Sequence, residues 1–410
     1  MLVDLLTALA AVILLSQLLG RLFARLHQPP VIGEILAGLA LGPSLLGRFF
    51  PEVQHAIFPA AALTPVNATA QLGVVLYMFL VGLELDAGVV RRQLRATLAL
   101  AGSTIVVPLL GGAALALVLY PRFSPASVPQ GIFVLFISVS MCVTAFPVLA
   151  RILADRGMTQ TWLGVLALAS AAVADVCAWC LLAVVIGLVR TDANPLTVVL
   201  TTVVFVGAML FLVRPAIKRV VARLDRDSPA ETSIAFELVA MLVSALITEA
   251  VGIHAIFGAF LMGAVIPHDS GMARRLLGVK HVLAVLLLPA YFAYAGLRTD
   301  TGLVTGWGDW LFCLAIILVA SAGKFAGAWI AAPIARMSWR DASAFGALMN
   351  ARGLMELIVL NIGLDVGVIT PRLFTLLVIM AVTTTLMSSP ALRILLGPLP
   401  AEALANSPRP

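Results

Sequence analysis

Charge is what this sequence has least of. Only 11% of its 410 residues are Asp, Glu, Lys or Arg, while 61% are hydrophobic and the mean hydropathy is +1.08. Soluble chains carry about 25% charged residues, so too little polar surface exists here to clothe a water-facing core. That excludes a soluble fold and predicts an all-α integral membrane protein. Cysteine is scarce too: Cys142, Cys177, Cys180 and Cys313 each lie inside an apolar run, and they are expected to be small buried hydrophobes rather than a redox or zinc site. No Walker loop, HExxH or nucleophile elbow occurs, so no enzyme chemistry and no cofactor is expected, and ATP-driven transport would require a partner chain. The formal charge of +6 would suit nucleic acid, but the basic residues are scattered and never interleave with exposed aromatics, so no nucleic-acid partner is predicted. Long polar segments are absent as well. Residues 1–396 read as one transmembrane domain and 397–410 as a short Pro/Ala/Ser-containing tail, so a regulatory module is expected on another chain.

What is present is a series of apolar runs. Thirteen spans are predicted, at about 5–23, 31–46, 68–84, 96–120, 130–150, 161–189, 195–213, 232–250, 253–267, 281–297, 308–334, 343–363 and 372–396. Residues 5–20 lack the basic lead and cleavage site of a signal peptide, so this run is kept as a span. The second and ninth runs are short and Gly-rich, which suits tilted, broken or internally packed helices. With the N-terminus outside, nineteen of the 26 Lys and Arg fall in cytoplasmic segments and five opposite, with Lys324 and Arg352 inside spans. Basic residues favour the cytoplasmic side. This predicts N outside and C cytoplasmic in a plasma membrane. Spans 1–6 overlay on spans 8–13 with inverted orientation, the repeat pattern of secondary transporters, and the interrupted fifth and twelfth spans coincide in that overlay.

Those two spans carry the polar residues. Span 5 reads SVSMCVTAFPVLARIL, with Ser138, Ser140 and Thr144 before Pro147; span 12 reads GALMNARGLMELIVLNIG, with Asn350, Arg352, Gly353 and Glu356. Pro147 removes a backbone donor and Gly353 tolerates a break, so both helices are expected to unwind at mid-depth and offer carbonyls to a small cation. Taken singly, such Ser, Gly and Pro residues equally suit ordinary helix packing. Ionisable groups at this depth cost on the order of 3 kcal/mol each. Asp175, in ASAAVADVCAW, is the candidate ion-binding and protonatable residue, and Lys324, in VASAGKFAGAW, its candidate charge partner. A purely structural buried pair is the other reading. Arg352 and Glu356, four apart, are expected to pair with each other or with helix ends. Glu34 and Glu249 suit ion access, capping or structure alike; Glu84 is expected to be interfacial and His254 a satisfied core histidine.

Several motifs, in order along nearly the whole chain, carry a family resemblance: HQPPVIGEILAGLALGPSLLG, FLVGLELD, SVSMCVTAFPVLARIL, ASAAVADVCAW, TEAVGIHAIFGAFLMGAVIP, PAYFAYAGLRTD, GKFAGAW and ALMNARGLMELIVLNIGL. The chain resembles the cation:proton antiporter superfamily, in particular its second monovalent cation:proton antiporter family and the plant-type cation/proton exchangers. The resemblance implies a thirteen-helix, inverted-repeat fold with two broken helices crossing beside an aspartate. It implies a core at about 96–189 and 308–396, a scaffold at about 5–84 and 195–297, and usually a homodimer. Asp175 then matches the ion-binding carboxylate, Lys324 the core lysine, and Thr144 and Pro147 the unwound stretch. Asp175 and Thr144 would hold Na⁺ or K⁺ transiently. One position departs: the residue before the aspartate is normally polar, and here it is Ala174. The activity implied is exchange of a monovalent cation for protons. The alternatives are proton-coupled export of a small organic solute and a non-transporting membrane sensor or subunit.

Overall fold

The computed structural model describes residues 2–84, 94–190, 195–227, 229–250, 254–267 and 269–397. Arg91, Arg92 and residues 398–410 of the expected tail lie outside them. Among the described residues the only regular structure is helical. In chain order the helices are α1 (Leu2–Arg25), α2 (Pro30–Leu41), α3 (Leu46–Phe49), α4 (Pro51–Ile57), α5 (Ala60–Leu83), α6 (Leu94–Phe123), α7 (Gln130–Cys142), α8 (Phe146–Asp155) and α9 (Trp162–Arg190). There follow α10 (Pro195–Ala208), α11 (Arg214–Asp227), α12 (Ala230–Ala250), α13 (Ala255–Val265), α14 (Gly271–Leu297), α15 (Trp307–Ala335), α16 (Trp339–Met349), α17 (Leu354–Asp365) and α18 (Pro371–Leu396). A π turn, Met209–Val213, joins α10 to α11.

Ten described helical stretches are long and apolar enough to cross a membrane, and the pair α16 and α17, bent by 48°, makes eleven if taken as one span. The thirteen spans read from the sequence are not reached on these criteria. The ninth expected run, 253–267, folds as the 11-residue α13, only about 16 Å long against a hydrocarbon core of about 30 Å. The tenth, 281–297, forms the later part of α14.

The chain divides into two compact units. The first comprises Met1–Ile13, Phe58–Asp86 and Trp179–Tyr294; the second comprises Leu14–Ile57, Ala87–Ala178 and Ala295–Pro410. In the first unit α13 lies along α5 through two glycines. A Cβ on Gly82 would stand 2.2 Å from the Phe260 carbonyl oxygen, and one on Gly263 would stand 2.1 Å from that of Phe79. Lipid offers little hydrophobic drive between helices, so close backbone approach of this kind supplies the attraction through van der Waals contact. In the second unit α6 packs against α7 and α15. There too small residues set the distance: a Cβ on Gly327 would meet the Ser103 carbonyl oxygen at 2.7 Å.

Candidate functional site

Both predicted interruptions are real breaks, and they bond to one another. α7 stops at Cys142 and α8 starts at Phe146, with Val143 (ψ 139°) and Ala145 (ψ 93°) out of helical geometry. The cause is Pro147: in a continuous helix its ring would clash with the carbonyl four residues back, on Val143, where the ladder ends. α16 stops at Met349 and α17 begins at Leu354, with Gly353 at φ 148°, a conformation that side-chain-bearing residues rarely adopt. The Ala145 amide donates to the Ala351 carbonyl at 3.0 Å, and the Thr144 hydroxyl to the Met349 carbonyl at 3.2 Å. Two unwound stretches buried in an apolar unit thereby satisfy part of each other's backbone, as burial demands.

Cations close the end of α7. The carbonyls of Ser140 and Met141 accept from Arg352 at 2.8 and 2.7 Å, and that of Cys142 accepts from Lys324 Nζ at 2.5 Å. These are the carbonyls a helix C-terminus leaves without partners, and its partial negative charge favours cations there. Arg352 also pairs with Glu356 Oε2 at 2.7 Å, and Ser140 donates to the other oxygen of Glu356. Both oxygens of that buried carboxylate are therefore occupied. Lys324 further donates to the Thr104 carbonyl at 3.1 Å and the Thr144 hydroxyl at 2.8 Å. Its hydrogen bonds thus go to backbone and hydroxyl groups; it forms no ion pair with Asp175, although the two charges lie close enough to act on each other. The reason is geometric: the open carbonyl end of α7 lies within the ammonium's reach.

Asp175 differs from its charged neighbours. It is 2% exposed on α9, the backbone amide of Phe146 reaches its carboxylate, and Oδ2 has no hydrogen-bond partner. Phe146 is the first residue of α8, so the carboxylate faces a helix N-terminus, the end carrying partial positive charge. Asn350 also keeps a buried oxygen free: its amide nitrogen donates to Ser321 at 3.2 Å while Oδ1 bonds nothing. The carboxylate oxygen can take up either a proton or a desolvated cation, whereas the amide oxygen of Asn350 can only accept a donor or a cation.

Other expected residues stand elsewhere. Ser138 returns its hydroxyl to the Val134 carbonyl at 2.7 Å and so stays within its own helix. Glu34, half-buried on α2, has Arg151 as its charged neighbour. Glu249 belongs to the first unit, where its carboxylate accepts from the Ala255 amide at 2.9 Å and caps α13. His254 caps the same helix, its ring nitrogen accepting from the Ile256 amide at 3.4 Å. Glu84 pairs with Lys280 at 2.6 Å, both partly exposed.

Sequence reading passes over three contributors to the site and, outside it, one buried acid, Glu237. The Thr104 carbonyl is open because Pro108, four residues on in α6, has no N–H to donate to it, a signal the sequence does carry; the Phe146 amide is a backbone group with no residue-type signature. Thr385, which accepts from the Arg352 amide at 2.9 Å, hides in the TTTLMSS run. Glu237 on α12 is legible by the same depth argument that singles out Asp175, since it interrupts the apolar FELVAMLV.

Comparison with known proteins follows the same line. Residues 9–397 match the family described as sodium/hydrogen exchanger, transmembrane. The Na(+)/H(+) antiporter NhaS4 of Synechocystis sp. is 40% identical over 92% of this chain and 93% of its own length. Cation/H(+) antiporter 20 of Arabidopsis thaliana is 37% identical over 95% of this chain and 48% of its own. K(+)/H(+) antiporter 1 of Saccharomyces cerevisiae is 32% identical over 92% of this chain and 45% of its own. The chain thus spans nearly all of the Synechocystis relative and about half of the plant and yeast ones. Among solved structures, the sodium proton antiporter MjNhaP1 from Methanocaldococcus jannaschii superposes with a TM-score of 0.73 at 16% identity, covering 98% of this chain and 99% of that one, which establishes a common fold. Broken helices bonded across their gaps, a buried aspartate beside them, and a family match along almost the entire sequence converge: the chain belongs to the sodium/hydrogen exchanger transmembrane family.

Proposed function

We propose that this chain is a secondary transporter that exchanges a monovalent cation, Na⁺ or K⁺, for protons. The observation that carries the reading is the free oxygen of Asp175. Of the acids at the crossover, Glu356 has both oxygens bonded, whereas Asp175 keeps one buried oxygen open. A buried carboxylate without a partner is unstable as a bare anion and is relieved by either a proton or a metal cation. Because one site serves both, occupancy by one excludes the other, and that competition couples the two fluxes. Thr144, held between Lys324 and the Met349 carbonyl, and Asn350 Oδ1, on the second break, are the further oxygens proposed to complete the cation's shell.

Exchange also needs the site to face each side in turn. In this proposal the residues expected as a core, about 96–189 and 308–396, move against a scaffold at about 5–84 and 195–297, in a homodimer with N outside and C cytoplasmic in the plasma membrane. The uneven distribution of Lys and Arg supports the orientation. Ala174 leaves Asp175 without a polar neighbour in sequence and, at 1% exposure, opens no space to solvent. A single carboxylate favours one-for-one, electroneutral exchange, and the relatives named as Na(+)/H(+) and K(+)/H(+) antiporters favour a cation over an organic solute. The test is proteoliposomes under an imposed pH gradient. Alkali cations are expected to drive proton movement in the parent protein and not in Asp175→Asn; undiminished exchange in that variant overturns the assignment.

A further inference from the structure

The first unit contains a second buried acid that the exchange mechanism does not use. Glu237, about two turns into α12, is 0% exposed, and neither of its oxygens has a hydrogen-bond partner. Among the described residues, Asp225 from α11 and Arg275 from α14 are the charged groups that act on it, though neither forms a hydrogen bond or ion pair with it. α13, which packs along α12, has no titratable side chain. Asp225 Oδ2 accepts from the amide of Gly271, the first residue of α14, at 2.8 Å. Its other oxygen bonds nothing and stands 3.9 Å from Arg275 Nη1, itself without a hydrogen-bond partner. Three charged side chains from three helices thus lie within electrostatic reach of one another, with atoms left over on each.

We propose that Glu237, Asp225 and Arg275 form a proton-operated clasp, in which the ionisation of Glu237 decides which carboxylate Arg275 holds and so how firmly α11 is tied to the start of α14. Protonated, Glu237 needs no counter-charge, and Arg275 stays with Asp225. Ionised, it is a bare anion in an apolar setting, and the nearby guanidinium is the group that can relieve it. The arginine is 37% exposed and free to swing between the two carboxylates. Loss of Arg275 weakens the Asp225 side of the clasp, and with it the bond from Asp225 to the Gly271 amide. α11 is poised to respond because it follows the π turn Met209–Val213, where the regular hydrogen-bond ladder is already displaced. α14 runs on to Leu297, and its last residues belong to the second unit, so the clasp acts on a helix shared by both units.

The clasp stands independently of cation exchange; only its transport readout rests on that reading. Infrared titration of the purified protein is expected to show a protonated-carboxyl band that disappears on ionisation and is missing in Glu237→Gln. In proteoliposomes the dependence of rate on pH is expected to lose one titrating step in the same variant. Arg275→Gln moves that step to higher pH, and Asp225→Asn to lower pH, each by about one unit, since the first removes a cation and the second an anion. Should Glu237→Gln fail to fold, this opposed pair of shifts carries the test. A band unchanged in Glu237→Gln, or a step unmoved by both neighbouring variants, overturns the clasp. Silent vesicles with the parent protein would overturn the exchange reading instead, while the infrared band still decides the clasp.

Discussion

Two buried clusters of charge distribute their hydrogen bonds differently. At the crossover, Glu356 and Lys324 are fully engaged, Arg352 holds three partners through its terminal nitrogens, and a single acid, Asp175, keeps an oxygen open. In the α11–α12–α14 cluster each of the three side chains has atoms to spare. A fully bonded network holds one geometry, because moving any member strands another in a medium of low polarity. Unpaired atoms mark where a proton or cation can be exchanged, or where partners can be swapped. The crossover thus combines a largely bonded frame, in which Asn350 Oδ1 and Arg352 Nε stay unpaired, with one acid that can exchange its proton; in the other cluster all three charged side chains have atoms free.

The largest effect that would sharpen this contrast is Asp175→Asn. It keeps shape and polarity but removes the charge, and cation-dependent proton flux in vesicles is expected to vanish while the protein remains folded. Next is the frame itself. Arg352→Ala strands Glu356 as an unpaired buried anion and is expected to destabilise the fold by about 3–5 kcal/mol, read as a lowered unfolding temperature in detergent. Adding Glu356→Ala should recover part of that loss, because the stranded charge goes with it; no recovery would show that the pair was not the frame. Smaller is Gly353→Ala, which forces a side chain into φ 148° with its Cβ 2.9 Å from Val148 Cγ2, at about 1–3 kcal/mol by the same thermal measurement. Smallest is Glu249→Ala at the exposed start of α13, expected to cost about 0.5–1 kcal/mol and to leave exchange intact. A loss of flux from that variant would erase the distinction between a capping acid and an exchanging one.

Much of the site is legible in the order of residues. The interruptions are, because Pro147 and Gly353 act on the backbone through local sterics, and so is Asp175, because a carboxylate is conspicuous in an apolar helix. The Arg352–Glu356 pair is suggested by a spacing of four, although Arg352 stands in the unwound stretch ahead of α17 and not on the helix that carries Glu356. Two features are not legible. The sequence points Lys324 toward Asp175 as its partner, yet the lysine donates to the Thr104 and Cys142 carbonyls; Pro108 and Pro147 mark open carbonyls, but which cation reaches them is set by the packing of distant helices. Nor is the close packing of α13 on α5 legible; Gly82 and Gly263 permit it, but it is a contact between segments about 180 residues apart in the chain.

Membrane residence, helical class, the two breaks and Asp175 as a buried acid were determined by the sequence alone, since each follows from composition or from forces acting within a few residues. Only the tertiary structure decided which acids are fully bonded and which are not. That difference depends on carbonyls and amides brought together from distant helices: Met349 and Ala351 onto the first break, Ser140 and Met141 onto Arg352, Phe146 onto Asp175. Backbone groups are the same at every residue, so their partners are chosen by packing and not by residue type.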